Sequence, residues 1–259
     1  MSTGDSQGRP RILIVLHQEH STAGRIGRLL ELAGFSLDCR RPRYGDVLPR
    51  TMVDHAGAIY FGGPMSANDS DAYIRTEIDW IGVPLREDKP FLGVCLGAQM
   101  LARHLGRRVY VHDTGHAEIG YYPIRPTAEG RAICASPFPE HVYQWHREGF
   151  DLPGGAALLA SGDTFDVQAC RYGASAYAFQ FHPEVTYAML CRWTVRAADR
   201  MEAPGAQTPG QHRDGWYQHD SNLARWTSEF LQNWIAPAPV PKIIGRSDEA
   251  PANLMQAFA

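Results

Sequence analysis

Cys95 lies in a sequence pattern typical of an activated nucleophile. The apolar segment 90–94 precedes it, and Gly93 and Gly97 stand two residues to either side. In a strand-to-helix turn, flanking glycines allow the tight elbow that exposes the central side chain. The elbow also places the thiol at a helix N-terminus, where the positive end of the helix dipole favours the thiolate. The pattern therefore predicts a nucleophile rather than a buried structural cysteine.

A histidine and a carboxylate that could serve this thiol stand further along the chain. His182 and Glu184 are two residues apart in the segment Phe-Gln-Phe-His-Pro-Glu. Alternate residues of an extended segment point to the same side, so both side chains would face one way. An imidazole can take the proton of a thiol, and a carboxylate can fix its tautomer and orientation. Together with Cys95, the pair predicts acyl transfer through a thioester.

A Gly-Gly-Pro sequence at 62–64 offers unshielded backbone donors after another short apolar run. Backbone N–H groups of this kind can stabilise the oxyanion of an acyl-transfer intermediate. We predict Gly63 and Leu96 as the two donors, because Pro64 has no N–H and Leu96 directly follows the nucleophile. The alternative is an ordinary glycine-proline turn.

The first half of the chain alternates apolar runs with segments of helical periodicity. We predict strands over 11–16, 35–40, 56–61 and 90–94, and helices over 22–33, 72–86 and 96–105. Short links between alternating strands and helices indicate an α/β fold with an open, mostly parallel, doubly wound sheet and helices on both faces. Such a sheet would present Cys95 at the carboxyl end of its strand.

The second half reads differently, because short alternating or aromatic runs are separated by Gly, Pro and Asp. We predict antiparallel strands over 108–112, 120–124, 141–145, 157–161, 167–171 and 176–181. This antiparallel strand region would be inserted at, or added to, the edge of the parallel sheet. A helix over 186–201, a loop over 202–215 and an amphipathic helix over 221–235 complete the pattern.

These elements divide the 259 residues into four parts. We expect a flexible tail over 1–10, a catalytic domain over 11–200, a loop plus C-terminal amphipathic helix packed on it over 201–235, and a mobile tail over 236–259. The segment before and within the last helix carries an aromatic cluster that we expect to dock on the core, with a homodimer face as the alternative. The cluster consists of Trp216, Tyr217, Trp226 and Trp234.

Composition excludes several function classes. A net charge of −3 offers no basic excess for binding nucleic acid. The five cysteines contain no CxxC pair, which argues against a disulfide framework and a zinc site and favours a reducing compartment. The polar N-terminus and the lack of a long apolar run predict no signal peptide, no membrane segment and a cytoplasmic protein. We expect no cofactor. We also expect no metal site, because three histidine pairs lack a third ligand at a suitable spacing: His17 and His20, His112 and His116, and His212 and His219.

Three motifs carry a family resemblance. Gly-Val-Cys-Leu-Gly-Ala-Gln at 93–99, Gly-Gly-Pro at 62–64 and Phe-His-Pro-Glu at 181–184 resemble those of class I (triad) glutamine amidotransferases. The resemblance covers about residues 11–200 and is strongest to the glutaminase domain of GMP synthase and its stand-alone relatives. The segments 118–123 and 143–146 also resemble that subgroup.

The resemblance implies roles for particular residues. Cys95 would attack the γ-carboxamide of glutamine, with His182 as acid and base and Glu184 as its orienting carboxylate. The oxyanion would rest on Gly63 and Leu96. The substrate would be bound with help from three further residues: Gln99, Trp145 and His146.

Three functions remain open at this point. The first is a glutaminase that passes ammonia to a synthetase partner in trans, since the length leaves no room for a fused synthetase. The second is a stand-alone hydrolase of γ-glutamyl compounds, with water as the only acceptor. The third is a non-catalytic regulatory module on the same fold. No phosphate-binding loop of the GxxxxGK[ST] type occurs, so we do not expect the chain itself to power ligation.

Overall fold

A central eight-stranded sheet organises the protein in the computed structural model, which describes residues 8–235. Most of the predicted tail over 1–10 and all of the predicted tail over 236–259 lie outside the described residues. The strands, in chain order, are β1 (Arg11–Val15), β2 (Ser36–Arg40), β3 (His55–Tyr60), β4 (Phe91–Val94), β5 (Val109–Val111), β6 (Glu118–Pro123), β7 (Arg125–Pro126), β8 (His141–His146), β9 (Glu148–Phe150), β10 (Ala157–Ser161), β11 (Ala169–Tyr172) and β12 (Ala176–Phe179).

The sheet has the order β2-β1-β3-β4-β12-β11-β10-β7. Its first five strands are parallel, and the last three pair antiparallel. The prediction that 176–181 is purely antiparallel is therefore wrong, because β12 pairs parallel with β4 and antiparallel with β11. An alternating pattern sets which side chains face inward, and it carries no information on strand direction.

Four strands lie outside this sheet, in two separate antiparallel pairs, β5 with β9 and β6 with β8. The expectation that 108–112, 120–124 and 141–145 join the sheet edge is wrong for this reason. The pair β6–β8 packs instead on later helices, so tertiary contacts rather than sheet extension cover its apolar residues.

The helices are α1 (Gly24–Leu32), α2 (Ala72–Trp80), α3 (Gly82–Arg86), α4 (Leu96–His104), α5 (Ala128–Arg131), α6 (Tyr187–Arg196) and α7 (Pro209–Ile235). The predicted helix over 72–86 breaks between α2 and α3, where Pro84 has no N–H to donate to the carbonyl of Trp80. The predicted helix over 186–201 ends at Arg196, and a 3-10 turn follows over Ala198–Glu202.

The predicted loop over 202–215 is wrong from Pro209 onward, because α7 already begins there. Pro209 occupies a first-turn position that needs no N–H donor, and the Thr208 hydroxyl accepts the N–H of Gln211 at 3.4 Å. Within the predicted aromatic cluster, Trp226 and Trp234 are buried, whereas Tyr217 is 74% exposed and does not dock on the core.

Alternate residues of the buried strands face two apolar layers. On one face Ile12 and Ile14 of β1 pack with residues of α1 and α7. On the other face Leu13 and Val15 pack with residues of α2, α3 and α4. Burial on both sides explains the continuous apolar runs of the parallel strands. The α/β class, the mostly parallel sheet and the helices on both faces are confirmed.

Candidate active site

Cys95 occupies a strained elbow between β4 and α4. Its φ is +51°, a region that L-residues rarely adopt, and its N–H donates to the carbonyl of Phe179 at 2.8 Å. A Cβ at Gly93 would overlap the backbone of Gly97, and a Cβ at Gly97 would overlap the carbonyl of Tyr60. Both flanking glycines are therefore required for the elbow to close.

His182 and Glu184 form a buried pair just beyond the end of β12. Nδ1 of His182 lies 2.8 Å from Oε1 of Glu184, and the two side chains are 4% and 3% exposed. The backbone N–H of His182 donates to the backbone carbonyl of Tyr143 at 2.8 Å. The imidazole ring of His182 packs edge-on against the ring of Trp193. Nε2 of His182 has no hydrogen-bond partner among residues 8–235. The ring is thus held on one side and free to exchange a proton on the other.

The imidazole of His182 and the side chain of Cys95 both lie close to Gly62. A Cβ at Gly62 would lie 2.8 Å from Cε1 of His182 and 3.4 Å from Cβ of Cys95. Burial disfavours the charged imidazolium, but the Glu184 carboxylate and the Cys95 thiolate outweigh it and raise the pKa of His182 to about 10. The arrangement therefore favours a protonated His182 beside the sulfur of Cys95.

Gly63, one of the two predicted oxyanion donors, lies beside the side chain of Leu96, the other predicted donor. A Cβ at Gly63 would lie 3.1 Å from Cδ2 of Leu96 and 2.7 Å from Cβ of His17. The side chains of Leu96 and His17 therefore pack against the Gly-Gly-Pro turn. His17 in turn contacts Glu77 at 3.0 Å between Nε2 and Oε2, and both side chains are fully buried. Burial and the nearby Glu77 carboxylate raise the pKa of Tyr60 well above its usual value.

Helices α1 and α7 brace the His-Pro-Glu segment from outside. The N–H of Arg25 donates to the carbonyl of Glu184 at 2.7 Å. Its guanidinium donates to both carboxylate oxygens of Asp220, at 2.7 and 2.6 Å. A side chain at Gly24 would overlap the Glu184 carbonyl. No local sequence pattern indicates this brace, because its members are far apart in the chain.

A cavity of about 540 Å³ opens over the three central residues. Cys95, His182 and Glu184 line it, as do Gly63 and Trp145 of the predicted set. Gly62 of the Gly-Gly-Pro turn also lines the cavity, and so do residues that no sequence motif indicated, among them Met189, Arg192 and Trp193 of α6. The spacing of Met189, Arg192 and Trp193 by three, one and four residues places them on one face of α6, and it was the available signal for these three.

Two predicted substrate-binding residues do not line this cavity. Nε2 of Gln99 donates to the carbonyl of Glu148 at 2.8 Å, deep behind the elbow. His146 contacts that carbonyl through Nδ1 at 2.9 Å and Oε2 of Glu118 through Nε2 at 3.0 Å. Both side chains belong to a buried polar network beneath the site.

Residues 30–189 match the family model described as glutamine amidotransferase class-I, which is more than half of the chain. The chain belongs to the class I glutamine amidotransferase family. The glutamine amidotransferase-like protein YfeJ of Salmonella typhimurium is 29% identical over 184 residues, which are 68% of this chain and 76% of that protein. The GMP synthase [glutamine-hydrolyzing] of Streptococcus thermophilus is 31% identical over 144 residues, 52% of this chain and 25% of that enzyme. The chain thus spans only a quarter of the GMP synthase that it matches.

Solved structures agree with this family assignment. A glutamine amidotransferase from Thermotoga maritima is 28% identical, with a TM-score of 0.79 over 88% of this chain and 98% of its own. A glutamine amido transferase from Methylobacillus flagellatus, 23% identical, shares the fold with a TM-score of 0.83 over 93% of this chain and 99% of its own. Among residues 8–235 of the present chain, no helix is long and apolar enough to cross a membrane.

Proposed function

We propose that this class I amidotransferase hydrolyses the γ-carboxamide of glutamine through a thioester on Cys95, releasing ammonia and glutamate. The observation that carries the proposal is the buried His182–Glu184 pair against a thiol held in a strained elbow. The elbow presents the Cys95 sulfur beside an imidazole that can exchange a proton with it, which is the arrangement that attack of a thiol on an acyl carbon requires.

In the first half-reaction, the Cys95 thiolate attacks the amide carbon and a C–S bond forms. The carbonyl oxygen becomes an oxyanion, which the N–H groups of Gly63 and Leu96 would stabilise. The imidazolium of His182 gives its Nε2 proton to the leaving nitrogen as the C–N bond breaks. Ammonia departs and the γ-glutamyl thioester remains.

In the second half-reaction, water replaces ammonia at the same place. Neutral His182 takes a proton from the water as its oxygen attacks the thioester carbon. The C–S bond then breaks, glutamate leaves, and the thiolate–imidazolium pair is restored. Glu184 keeps the ring oriented through both steps by accepting the Nδ1 hydrogen.

The fate of the ammonia separates two candidates. We propose delivery to a synthetase partner in trans, by analogy with the GMP synthases whose names state glutamine hydrolysis. The second candidate is a γ-glutamyl hydrolase. The size of the cavity favours it, because about 540 Å³ lies in the range that holds ligands larger than an amino acid.

The decisive assay supplies the purified protein with glutamine and, separately, with γ-glutamyl peptides, and measures ammonia, free amine and glutamate. Release of ammonia and glutamate from glutamine is the expected result. Turnover of peptides without turnover of glutamine would select the second candidate. Inertness towards both, with no labelling of Cys95 by an electrophilic glutamine analogue, would refute the thioester mechanism.

The protonation of His182 gives a second prediction. Its pKa in the folded protein, about 10, lies above the ordinary value of 6.5. A raised pKa means that charged His182 stabilises the fold fully below pH 6.5, and that this contribution is lost as the pH rises towards 10. We therefore expect the free energy of unfolding to decline from about pH 6.5 and to level off near the pH at which the NMR titration of His182 in the folded protein is centred.

Two variants test the cause of the shift. Glu184→Gln and Cys95→Ala should each lower the pKa of His182, because each removes a negative charge beside the ring. The Glu184 variant should have the larger effect, since its carboxylate is the stronger attraction. An unchanged titration in Cys95→Ala would show that the thiol and the imidazole do not share a proton.

A further inference from the structure

The segment that follows Gly63 is fastened to a strand pair that lies outside the central sheet. Strands β5 and β9 pair only with each other. The side-chain amide of Asn68 donates to the backbone carbonyl of Val109 on β5 at 2.9 Å. The hydroxyl of Ser66 donates to Oε1 of Glu148 on β9 at 2.9 Å. The strand pair therefore holds the chain just beyond the Gly-Gly-Pro sequence at two points.

The contact between Ser66 and Glu148 is buried, with the two residues 8% and 9% exposed. The Ser66 hydroxyl also accepts the backbone N–H of Asn68 at 3.0 Å. The backbone N–H of Ser66 donates to the carboxylate of Asp69 at 2.9 Å, and the N–H of Asp69 donates to the Ser66 carbonyl at 3.1 Å. Because these bonds close residues 66–69 into one turn, the bond to Glu148 fixes the whole turn and not a single rotamer.

Glu148 also reaches the other two sequence motifs through its backbone. Its carbonyl accepts Nε2 of Gln99, which stands four residues after Cys95, at 2.8 Å. The same nitrogen of Gln99 donates to Oε1 of Gln180 at 3.3 Å, and Gln180 stands two residues before His182. Glu148 therefore connects the Gly-Gly-Pro segment, the helix of the cysteine elbow and the strand that leads to the His-Pro-Glu sequence.

Gly63 depends on its neighbours for the direction of its backbone N–H. Gly63 lines the cavity, and its N–H donates to no backbone carbonyl among residues 8–235. Before it, the N–H of Phe61 donates to the carbonyl of Val15 at 3.1 Å. After it, the next anchor to another strand through a buried side chain is the bond from Ser66 to Glu148. A donor stabilises an oxyanion only when it is already aimed at the place where the charge develops.

We propose that Glu148 is a positioning residue, whose carboxylate holds Ser66 and thereby aims the N–H of Gly63 at the oxyanion. The inference rests on the thioester chemistry proposed above, in which Gly63 is one of the two oxyanion donors. Glu148 does not line the cavity, so it acts through the turn and not on the substrate itself. Since the oxyanion forms only on the way through the reaction, loss of the carboxylate lowers kcat and leaves KM nearly unchanged.

Side-chain variants of Glu148 separate its two kinds of contact. Glu148→Ala removes the carboxylate and keeps the backbone carbonyl that accepts Gln99. We expect kcat for glutamine hydrolysis to fall about 10- to 100-fold, since a misdirected donor costs less than a deleted one, and KM to stay within about 3-fold. Glu148→Gln keeps an acceptor oxygen for the Ser66 hydroxyl and should retain most of the wild-type kcat.

Ser66→Ala tests the same bond from its other end. It deletes a single oxygen atom, so it supplies a folded protein even if Glu148→Ala does not fold, and it should reproduce the fall in kcat. The double variant Ser66→Ala/Glu148→Ala should lose no more activity than the more affected single variant, because both changes break one contact.

A second measurement distinguishes aim from general damage to the site. Iodoacetamide alkylates Cys95 by forming a C–S bond as iodide leaves, and this step produces no oxyanion for Gly63 to hold. The alkylation rate of Cys95, followed by peptide mass spectrometry, and the NMR titration of His182 should therefore equal the wild-type values in the Ser66 and Glu148 variants. The control Glu229→Ala removes a carboxylate that accepts the N–H of Ser136 at 3.0 Å, away from the cavity, and should keep kcat.

Three results would overturn the inference. One is a wild-type kcat in Ser66→Ala or Glu148→Ala. Another is a fall in kcat that is matched by slower alkylation of Cys95 and a shifted titration of His182, as a merely structural role would give. The third is a double variant whose losses add. Failure of the thioester chemistry looks different: the wild-type protein itself would be inert towards glutamine and γ-glutamyl peptides, Cys95 would resist the electrophilic glutamine analogue, and the role of Glu148 would fall with it.

Discussion

Replacing Cys95 by alanine is expected to lower turnover of every γ-glutamyl substrate by on the order of 10⁴-fold or more, because the covalent route is lost with the nucleophile. The measurements are glutamate release and the mass gained on treatment with an electrophilic glutamine analogue. The variant should gain no mass. Its fold should remain, because alanine fills the elbow without a new contact.

Cys39→Ala is the matched control for this experiment. Cys39 is exposed on β2 and does not line the cavity. Cys134 and Cys170 are poorer comparisons, since burial raises the pKa of each thiol to about 12 and keeps both unreactive. Equal labelling of the Cys95→Ala and wild-type proteins would transfer the nucleophile to another residue and refute the site.

Removing Glu77 should cause the largest loss of stability. Its contact with His17 is completely buried, and deletion of one partner of such a pair costs about 3–5 kcal/mol of unfolding free energy. Glu77→Ala should therefore shift the urea midpoint strongly, and it should also reduce kcat, because His17 packs directly under Gly63. Glu77→Gln keeps the shape of the side chain and should be milder.

An exposed ion pair provides the comparison. Arg11 and Asp54 lie 3.6 Å apart with side chains 45% and 68% exposed, so Asp54→Ala should cost less than about 1 kcal/mol. If Glu77→Ala costs no more than Asp54→Ala, the buried pair contributes nothing beyond a surface contact. The double variant His17→Leu/Glu77→Leu should recover part of the lost stability, since it leaves no unpaired polar group.

The elbow was predictable because its causes are local. Gly93 and Gly97 are required by contacts within a few residues of Cys95, together with the neighbouring strand. The direction of β12 was not predictable, since a two-residue alternation is the same when a strand is reversed. It took the parallel pairing with β4 to bring His182 to the same sheet edge as the nucleophile.

Tertiary contacts account for the remaining differences. The first turns of α7 contain Gly210 and Gly215, which favour a loop by local preference. Gly215 is required there because a Cβ would lie 2.5 Å from the ring of Tyr121, and His212 contacts the Tyr143 hydroxyl at 2.9 Å. Likewise, the residue type of Gln99 could not reveal that its amide points to the Glu148 carbonyl rather than into the cavity.

The hydrogen bond from Cys95 to the carbonyl of Phe179 joins segments that are distant along the chain. Contacts of such long sequence separation form late, because the entropy of closing the intervening loop opposes them. We therefore expect the thiol to acquire its imidazole neighbour only after most of the sheet has assembled. Until then Cys95 has the reactivity of an unfolded cysteine. The rate at which an electrophilic glutamine analogue captures it can consequently serve as a clock for the completion of folding.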